Sequence, residues 1–341
     1  MVQLSKAEEI TAVWNALAES SRSEDGWMTM PVATGSSCVL KVGRHFPGGE
    51  EAVLVGFRSL PSPVTEQLPE GRGFSVLEVV FDQEGEGRTW IALQRLTAGS
   101  LVMFAMMAAD IVSTLDRIPA TSDELIFVAF LARIRAWQNF MQRGKEGVLG
   151  FESEVGLYGE LVILEALVRA GMPPDLAVKA WVGPCDGIQD FIIGTGAIEV
   201  KTTTAAGIFP AWISSLEQLD DSQNSPLYLA AVRICQIDTG ASLPEKICEI
   251  RHLLQDNAPG VLPEFELRLL QAGYISSLAG RYIRKFEKVA IRIILVDDFV
   301  PKLVHGTIPS GILRAKYEIN IETISSRDRS LENTLHSLGA L

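Results

Sequence analysis

The sequence predicts an α+β protein in two parts, the second an α/β arrangement with a mixed sheet flanked by helices. Three observations carry that expectation. Short apolar runs bounded by Gly, Pro, Ser or acidic turns fill residues 24–95, as strands do. Two long helical patterns follow, over residues 98–143. After residue 145 the pattern becomes helix, strand hairpin, helix, strand, helix, and the connection after the hairpin is long enough to make the next strand parallel to a neighbour.

The strands of the first part are expected at residues 27–32, 37–42, 51–57, 75–81 and 89–93. The first helix, 98–115, contains the longest apolar run, but Asp110 interrupts it and it is too short to cross a bilayer. The second helix starts at a capping box, Thr121-Ser122-Asp123-Glu124, and continues to Arg143. Gly144-Lys145-Glu146-Gly147 is the expected boundary, giving domains of 1–144 and 145–341. Beyond it the expected elements are a helix at 154–170, closed by Gly171 and Pro173-Pro174, and a hairpin at 190–201. A short helix at 213–219, a strand at 227–237, helices at 244–255 and 264–272, and a strand at 289–297 follow.

Composition narrows the function classes. A hydrophobic content of 47% over 341 residues argues for packed domains rather than disorder. The N-terminus lacks an apolar core, so a cytoplasmic protein with no membrane segment is expected. Four cysteines without a CxxC pair and four scattered histidines exclude a zinc ribbon and argue against a disulfide scaffold. A net charge of −12 opposes autonomous, tight DNA binding, which rests mostly on Lys and Arg at phosphates.

The hairpin is the most informative stretch. On a strand, side chains alternate, so Glu199 and Lys201 share one face while Ile198 and Val200 share the other. A two-residue Thr195-Gly196 turn would set Gly194 against Ala197, Ile192 against Glu199 and Asp190 against Lys201, with all three polar groups on one face. Two carboxylates and an ammonium at one sheet edge suit a divalent cation and phosphodiester cleavage. Taken alone, Glu199 and Lys201 more often form a solvated edge pair. Glu160 borders the buried face marked by Leu157, Leu161, Leu164 and Val168, either as a helix-dipole acid or as a carboxylate aimed at the hairpin. Asp186 offers a further ligand or a plain Asp-Gly turn. Arg281, Arg284, Lys285 and Lys288, interleaved with Tyr282 and Phe286 and continued by Arg292, either grip substrate phosphates or form a charged helix end.

The order Glu160, Asp190, Glu199-Val200-Lys201 resembles the PD-(D/E)XK nuclease superfamily. The chain is most similar to bacterial PD-(D/E)XK motif proteins encoded beside restriction-modification and phage-defence genes. The resemblance includes Trp181-Val182-Gly183-Pro184, the segment from Ile213 to Leu219, and the Asp297-Asp298-Phe299-Val300-Pro301 and Ile308-Pro309-Ser310-Gly311-Ile312 segments. One position departs: Gln189, not proline, precedes Asp190. The resemblance implies a restriction-endonuclease-like fold and a Mg²⁺- or Mn²⁺-dependent deoxyribonuclease. Asp190, Glu199, Glu160 and the Val200 backbone carbonyl would bind the metal, Lys201 would act on the attacking water or the phosphate, and Gln218 would support it from the following helix. The expected partners are DNA, a methyltransferase, ATPase or helicase from the same gene neighbourhood, and a second copy of the chain. The alternative is a non-cleaving accessory subunit that recognises DNA or scaffolds a defence complex.

Overall fold

The structure, a computed structural model, describes residues 6–19, 24–33, 38–58, 60, 68–71, 73–79, 81, 87–116, 122–142, 148–185, 187–309, 311–324 and 328–341. The linker at 144–147, Thr121, Asp186, Ser37, Val80 and Ser310 lie outside the described residues. The chain divides into two compact units, Met1–Lys145 and Glu146–Leu341.

The first unit contains α1 (Lys6–Ala18), β1 (Gly26–Val32), β2 (Val39–Phe46), β3 (Glu50–Phe57), β4 (Phe74–Val79), β5 (Thr89–Arg95), α2 (Leu101–Asp116) and α3 (Asp123–Gln142). Its strands form one antiparallel sheet in the order β1-β2-β3-β5-β4. The central β3 is apolar on both faces and is buried from Glu51 to Phe57. Helix α1, which the sequence pattern did not announce, buries Ile10, Trp14 and Leu17, and the Trp14 indole donates to the Ala52 carbonyl. The buried Glu51 carboxylate is held between Arg44 at 2.7 Å and Arg95 at 2.6 Å. Asp110, the interruption in the apolar run of α2, accepts a two-pronged contact from Arg133 and a bond from the Trp137 indole. Three donors on one carboxylate make this interruption a pin between α2 and α3. Ser122 accepts from Leu125 N–H, so the cap of α3 lies one residue past the predicted Thr121.

The second unit contains α4 (Phe151–Arg169), α5 (Pro174–Ala180), β6 (Phe191–Ile193), β7 (Gly196–Thr203), β8 (Pro210–Ile213), β9 (Leu227–Ser242), α6 (Leu243–Asn257), α7 (Leu262–Gln271), β10 (Lys285–Leu295), β11 (Tyr317–Asn320), β12 (Asp328–Arg329) and α8 (Leu331–Ser337). The main sheet runs β12-β10-β9-β7-β6, with β7 and β9 parallel and the other pairs antiparallel. This is the mixed, helix-flanked α+β fold expected. Ile198, Val200, Ala230, Val232 and Ile293 pack on one face with Leu161 and Leu164 of α4 and Ile247 and Ile250 of α6. Ala197, Leu229, Ala231 and Ile294 line the opposite face beneath Ala211 and Ile213 of β8 and Ile319 of β11.

Three local expectations are corrected. The predicted helix at 213–219 is the end of β8 followed by turns: Ala211 and Ile213 are buried, Trp212 between them is exposed, and Gln218 folds back to accept from Ser214 N–H. The three-residue spacing of Ile213, Leu216 and Leu219 mimics a helix, but tertiary burial and this side-chain bond prevail. Strands β9 and β10 extend to Ser242 and back to Lys285, so the basic run lies partly on a strand rather than on a helix end. The hairpin turns at Gly194-Thr195, one residue earlier than predicted, pairing Ile193 with Gly196 and Phe191 with Ile198.

Gly194 takes φ +59°, which suits the first position of a tight hairpin turn, and a Cβ there would lie 2.2 Å from the Leu338 carbonyl oxygen. Packing against the end of α8 therefore selects the turn. A Gly194→Ala substitution should cost about 1–3 kcal/mol, because it adds backbone strain and a clash. The check is the midpoint of chemical denaturation; an unchanged midpoint would show that the turn is not constrained in this way.

Candidate functional site

Strand β6 is only three residues long, so its backbone ladder with β7 ends at the Phe191–Ile198 pair. The next residue back, Asp190, continues the ladder with its side chain: Oδ2 accepts from Val200 N–H at 2.7 Å. The corrected register sets Asp190 opposite Glu199 rather than Lys201. The partner moves by two positions, so Asp190, Glu199 and Lys201 still share one face. The Asp190 carbonyl in turn accepts from Val182 N–H and Gly183 N–H, drawing the 182–183 segment onto the site.

Glu160 arrives from α4. Gly159 beside it faces Thr202 of β7 so closely that an added Cβ would fall 1.8 Å from Thr202 Oγ1. The missing side chain lets the helix lie directly on the strand. Trp181 Nε1 donates to Glu160 Oε2 at 2.7 Å and fixes the carboxylate. A Cβ built on Gly183 would sit 2.6 Å from Asp190 Oδ1 and 3.2 Å from Glu160 Oε2, so both carboxylates open onto one small gap. Lys201 Nζ lies 2.7 Å from Glu199 Oε1 and donates to Gln218 Oε1 at 3.2 Å. Gln218 reaches Lys201 from a turn, not from the predicted helix.

Three acids face one ammonium here, and burial penalises their charge. Burial, joined by the Asp190 charge, pushes the Glu160 carboxyl up to about 8. Burial lifts Asp190 to about 6 against the opposing pull of Val200 N–H and Lys201. Glu199, 2% exposed, is held well above its ordinary value by burial first and then by Asp190, with Lys201 opposing. Its Oε2 is buried without a hydrogen-bond partner. An orphaned buried oxygen, a gap between two further carboxylates and a set of hard oxygen donors fit a small divalent cation. Among the described residues no three His, Cys, Asp or Glu side chains are already gathered as a finished metal site. One oxygen of each acid is turned instead to Val200, Lys201 or Trp181.

The predicted substrate-binding run is dispersed. Arg284 binds the fully buried Glu154 at 2.5 Å and lies over the Phe151 ring. Lys285 is 3.7 Å from Glu245. Arg292 stands in register with Ala231 and Lys201 across the sheet, yet it is engaged by Asp328 and by the carbonyls of Ile321 and Ile324. Arg281 closes a 3-10 turn, and Lys288 is exposed on β10. Arg284, Lys285 and Arg292 thus engage acids other than Glu160, Asp190 and Glu199.

Two residues at the site carry roles that spacing did not reveal. Trp181 orients Glu160, as above. Gln189 is 2% exposed; its amide donates to the Glu217 carbonyl at 3.1 Å and accepts from Asn224 at 3.0 Å. The departure from proline at this position thus ties the 217–224 loop to the strand carrying Asp190. The resemblance had marked both positions, Trp181 within a shared segment and Gln189 as a departure, without indicating these contacts.

An edge hairpin bearing Asp and Glu-x-Lys, completed by a helix glutamate on a mixed sheet, defines a protein of the PD-(D/E)XK nuclease-like class. Over residues 10–322 the chain matches the family model described as "Putative PD-(D/E)XK family member, (DUF4420)", and it belongs to that family. No curated protein and no solved structure matches the chain. Among the described residues no helix is long and apolar enough to cross a membrane.

The raised acids set a pH dependence. Glu160 binds its proton more tightly in the folded chain (about 8) than at its ordinary value of 4.5. Its contribution to stability is therefore complete below about pH 4.5 and drains away as pH rises towards about 8. In chelator, the melting temperature should fall between pH 6 and 8, and Glu160→Gln should flatten that fall. An equally steep profile in the variant would show that Glu160 is not the group responsible.

Proposed function

We propose that this chain is a metal-dependent endonuclease that hydrolyses DNA phosphodiester bonds. The observation that carries the reading is the buried constellation of Glu160, Asp190 and Glu199 around Lys201, with Glu199 Oε2 left without a partner. Asp190 and Glu199 would hold Mg²⁺ or Mn²⁺, with Glu160 and the Val200 carbonyl as further ligands. Once bound, the ion supplies Lewis-acid polarisation of the phosphate and a more acidic water.

The chain's own groups do the rest. Val200 N–H holds Asp190 in one orientation, and Trp181 does the same for Glu160. The Lys201 ammonium, positioned by Glu199 and Gln218, orients the attacking water or offsets charge developing on the phosphoryl oxygens. Burial of these groups strengthens each of their interactions relative to water.

The net charge of −12 and the self-paired arginines at 284 and 292 support dependence on a partner to bring DNA, such as a methyltransferase, ATPase or helicase in a restriction-modification or phage-defence system. A cytoplasmic location accords with that role. The same two observations favour the second reading, a non-cleaving accessory subunit that recognises DNA within such a complex.

Supercoiled plasmid incubated with the protein and Mg²⁺ or Mn²⁺ separates the two. The wild-type chain should nick it, chelator should abolish nicking, and Lys201→Ala should lower the rate by about 10²–10³-fold. Equal nicking by both proteins would remove Lys201 from the chemistry, and no metal-dependent nicking by wild type would favour the accessory role.

A further inference from the structure

Of the basic run expected to contact substrate, Arg284, Lys285 and Arg292 are engaged by the chain's own acids, so a different surface is needed to hold DNA. Strand β8 and the segment leading into β11 offer another surface. Ala211 and Ile213 are buried, while Trp212 between them is 56% exposed. Two residues on, Ser214 N–H donates to Gln218 Oε1, the same oxygen that accepts from Lys201. Trp212 thus stands on the chain segment that supports the lysine. Tyr317 pairs with Ile213, so residues 311–316 leave β11 at the Ser214 end, the end nearer Gln218. Leu313 on that segment is 81% exposed, and Arg314 and Lys316 are exposed with no ion pair among the described residues. The segment 302–305 reaches the same 214–221 turns through bonds from Lys302 to Asp221 and from His305 to Glu217.

We infer that Trp212, Leu313, Arg314 and Lys316 form a stacking platform for unpaired DNA bases beside the cleavage site. The substrate class is then single-stranded or locally unpaired DNA rather than intact duplex. This inference rests on the nuclease reading above. A chain of net charge −12 gains little overall from phosphate contacts, whereas a base on an indole ring needs no net positive charge. A side chain can cover the face of a base only where that face is not already covered by a neighbouring base, which intact duplex does not offer. Arg314 and Lys316 would hold the flanking phosphates.

Fluorescence anisotropy with a labelled oligothymidylate and a duplex of equal length, both in chelator, tests the platform, with plasmid cleavage measured on the same preparations. Wild type should bind the single strand more tightly than the duplex. Trp212→Ala should weaken single-strand binding by about 5- to 150-fold, the range of one base stack, and Trp212→Phe should retain most of it. Arg314→Ala should make the salt dependence shallower by about 0.7 in slope. Equal single-strand affinity for wild type and Trp212→Ala, or tighter duplex binding, overturns the platform, and with cleavage intact it leaves the nuclease reading standing. Trp212-dependent single-strand binding without metal-dependent cleavage supports the platform and overturns the nuclease reading.

Discussion

The hydrogen bond from Val200 N–H to Asp190 Oδ2 is the contact on which the site depends. It extends a strand of three residues by one further rung, made by a side chain instead of a backbone carbonyl. That frees the Asp190 carbonyl to accept the two amides of Val182 and Gly183. A single residue therefore fixes the edge of β7, aims a carboxylate across from Glu199, and brings Gly183 to where its lack of a side chain leaves a gap beside Glu160. The gathering of three acids is tolerable because each has one oxygen committed to a donor. The remaining oxygens keep the electrostatic strain.

Local patterns in the chain made much of this legible. Alternation across Ile198, Glu199, Val200 and Lys201 announced the shared face, and that survived a turn placed one residue away from expectation. What sequence could not supply was the reason for the turn: the Leu338 carbonyl, far along the chain, demands that Gly194 occupy it. The apolar spacing of Ile213, Leu216 and Leu219 suggested a helix because spacing alone cannot register that β11 pairs with β8. The basic run was visible as charge, but its acids, Glu154 and Asp328, lie more than a hundred residues before Arg284 and some tens of residues beyond Arg292. Trp181 and Gln189 escaped for the same reason, since each acts through a group supplied by another element.

The family match spans residues from both compact units, so the β-rich first unit is part of what defines the family and not an attachment to it. Within that unit the polar interruptions of apolar elements are satisfied by nearby donors, Glu51 by two arginines and Asp110 by Arg133 and Trp137. In the second unit Glu199 Oε2 is left without such a partner. Glu154 Oε1, on a carboxylate held by Arg284, and Glu50 Oε2 are likewise without a hydrogen-bond partner, so what sets Glu199 apart is its place beside Asp190 and Lys201 and not the orphaned oxygen alone.

Gln189 bears on motion as well as position. Because its side chain bonds the Glu217 carbonyl and Asn224 while its neighbour Asp190 is bound to Val200, the turn carrying Gln218 is tethered to the edge of the sheet, and the two cannot separate without breaking both Gln189 bonds. A displacement of that turn away from Lys201 therefore pulls on the residue next to Asp190, so the loop that supports the lysine and the edge that carries the carboxylate are mechanically linked.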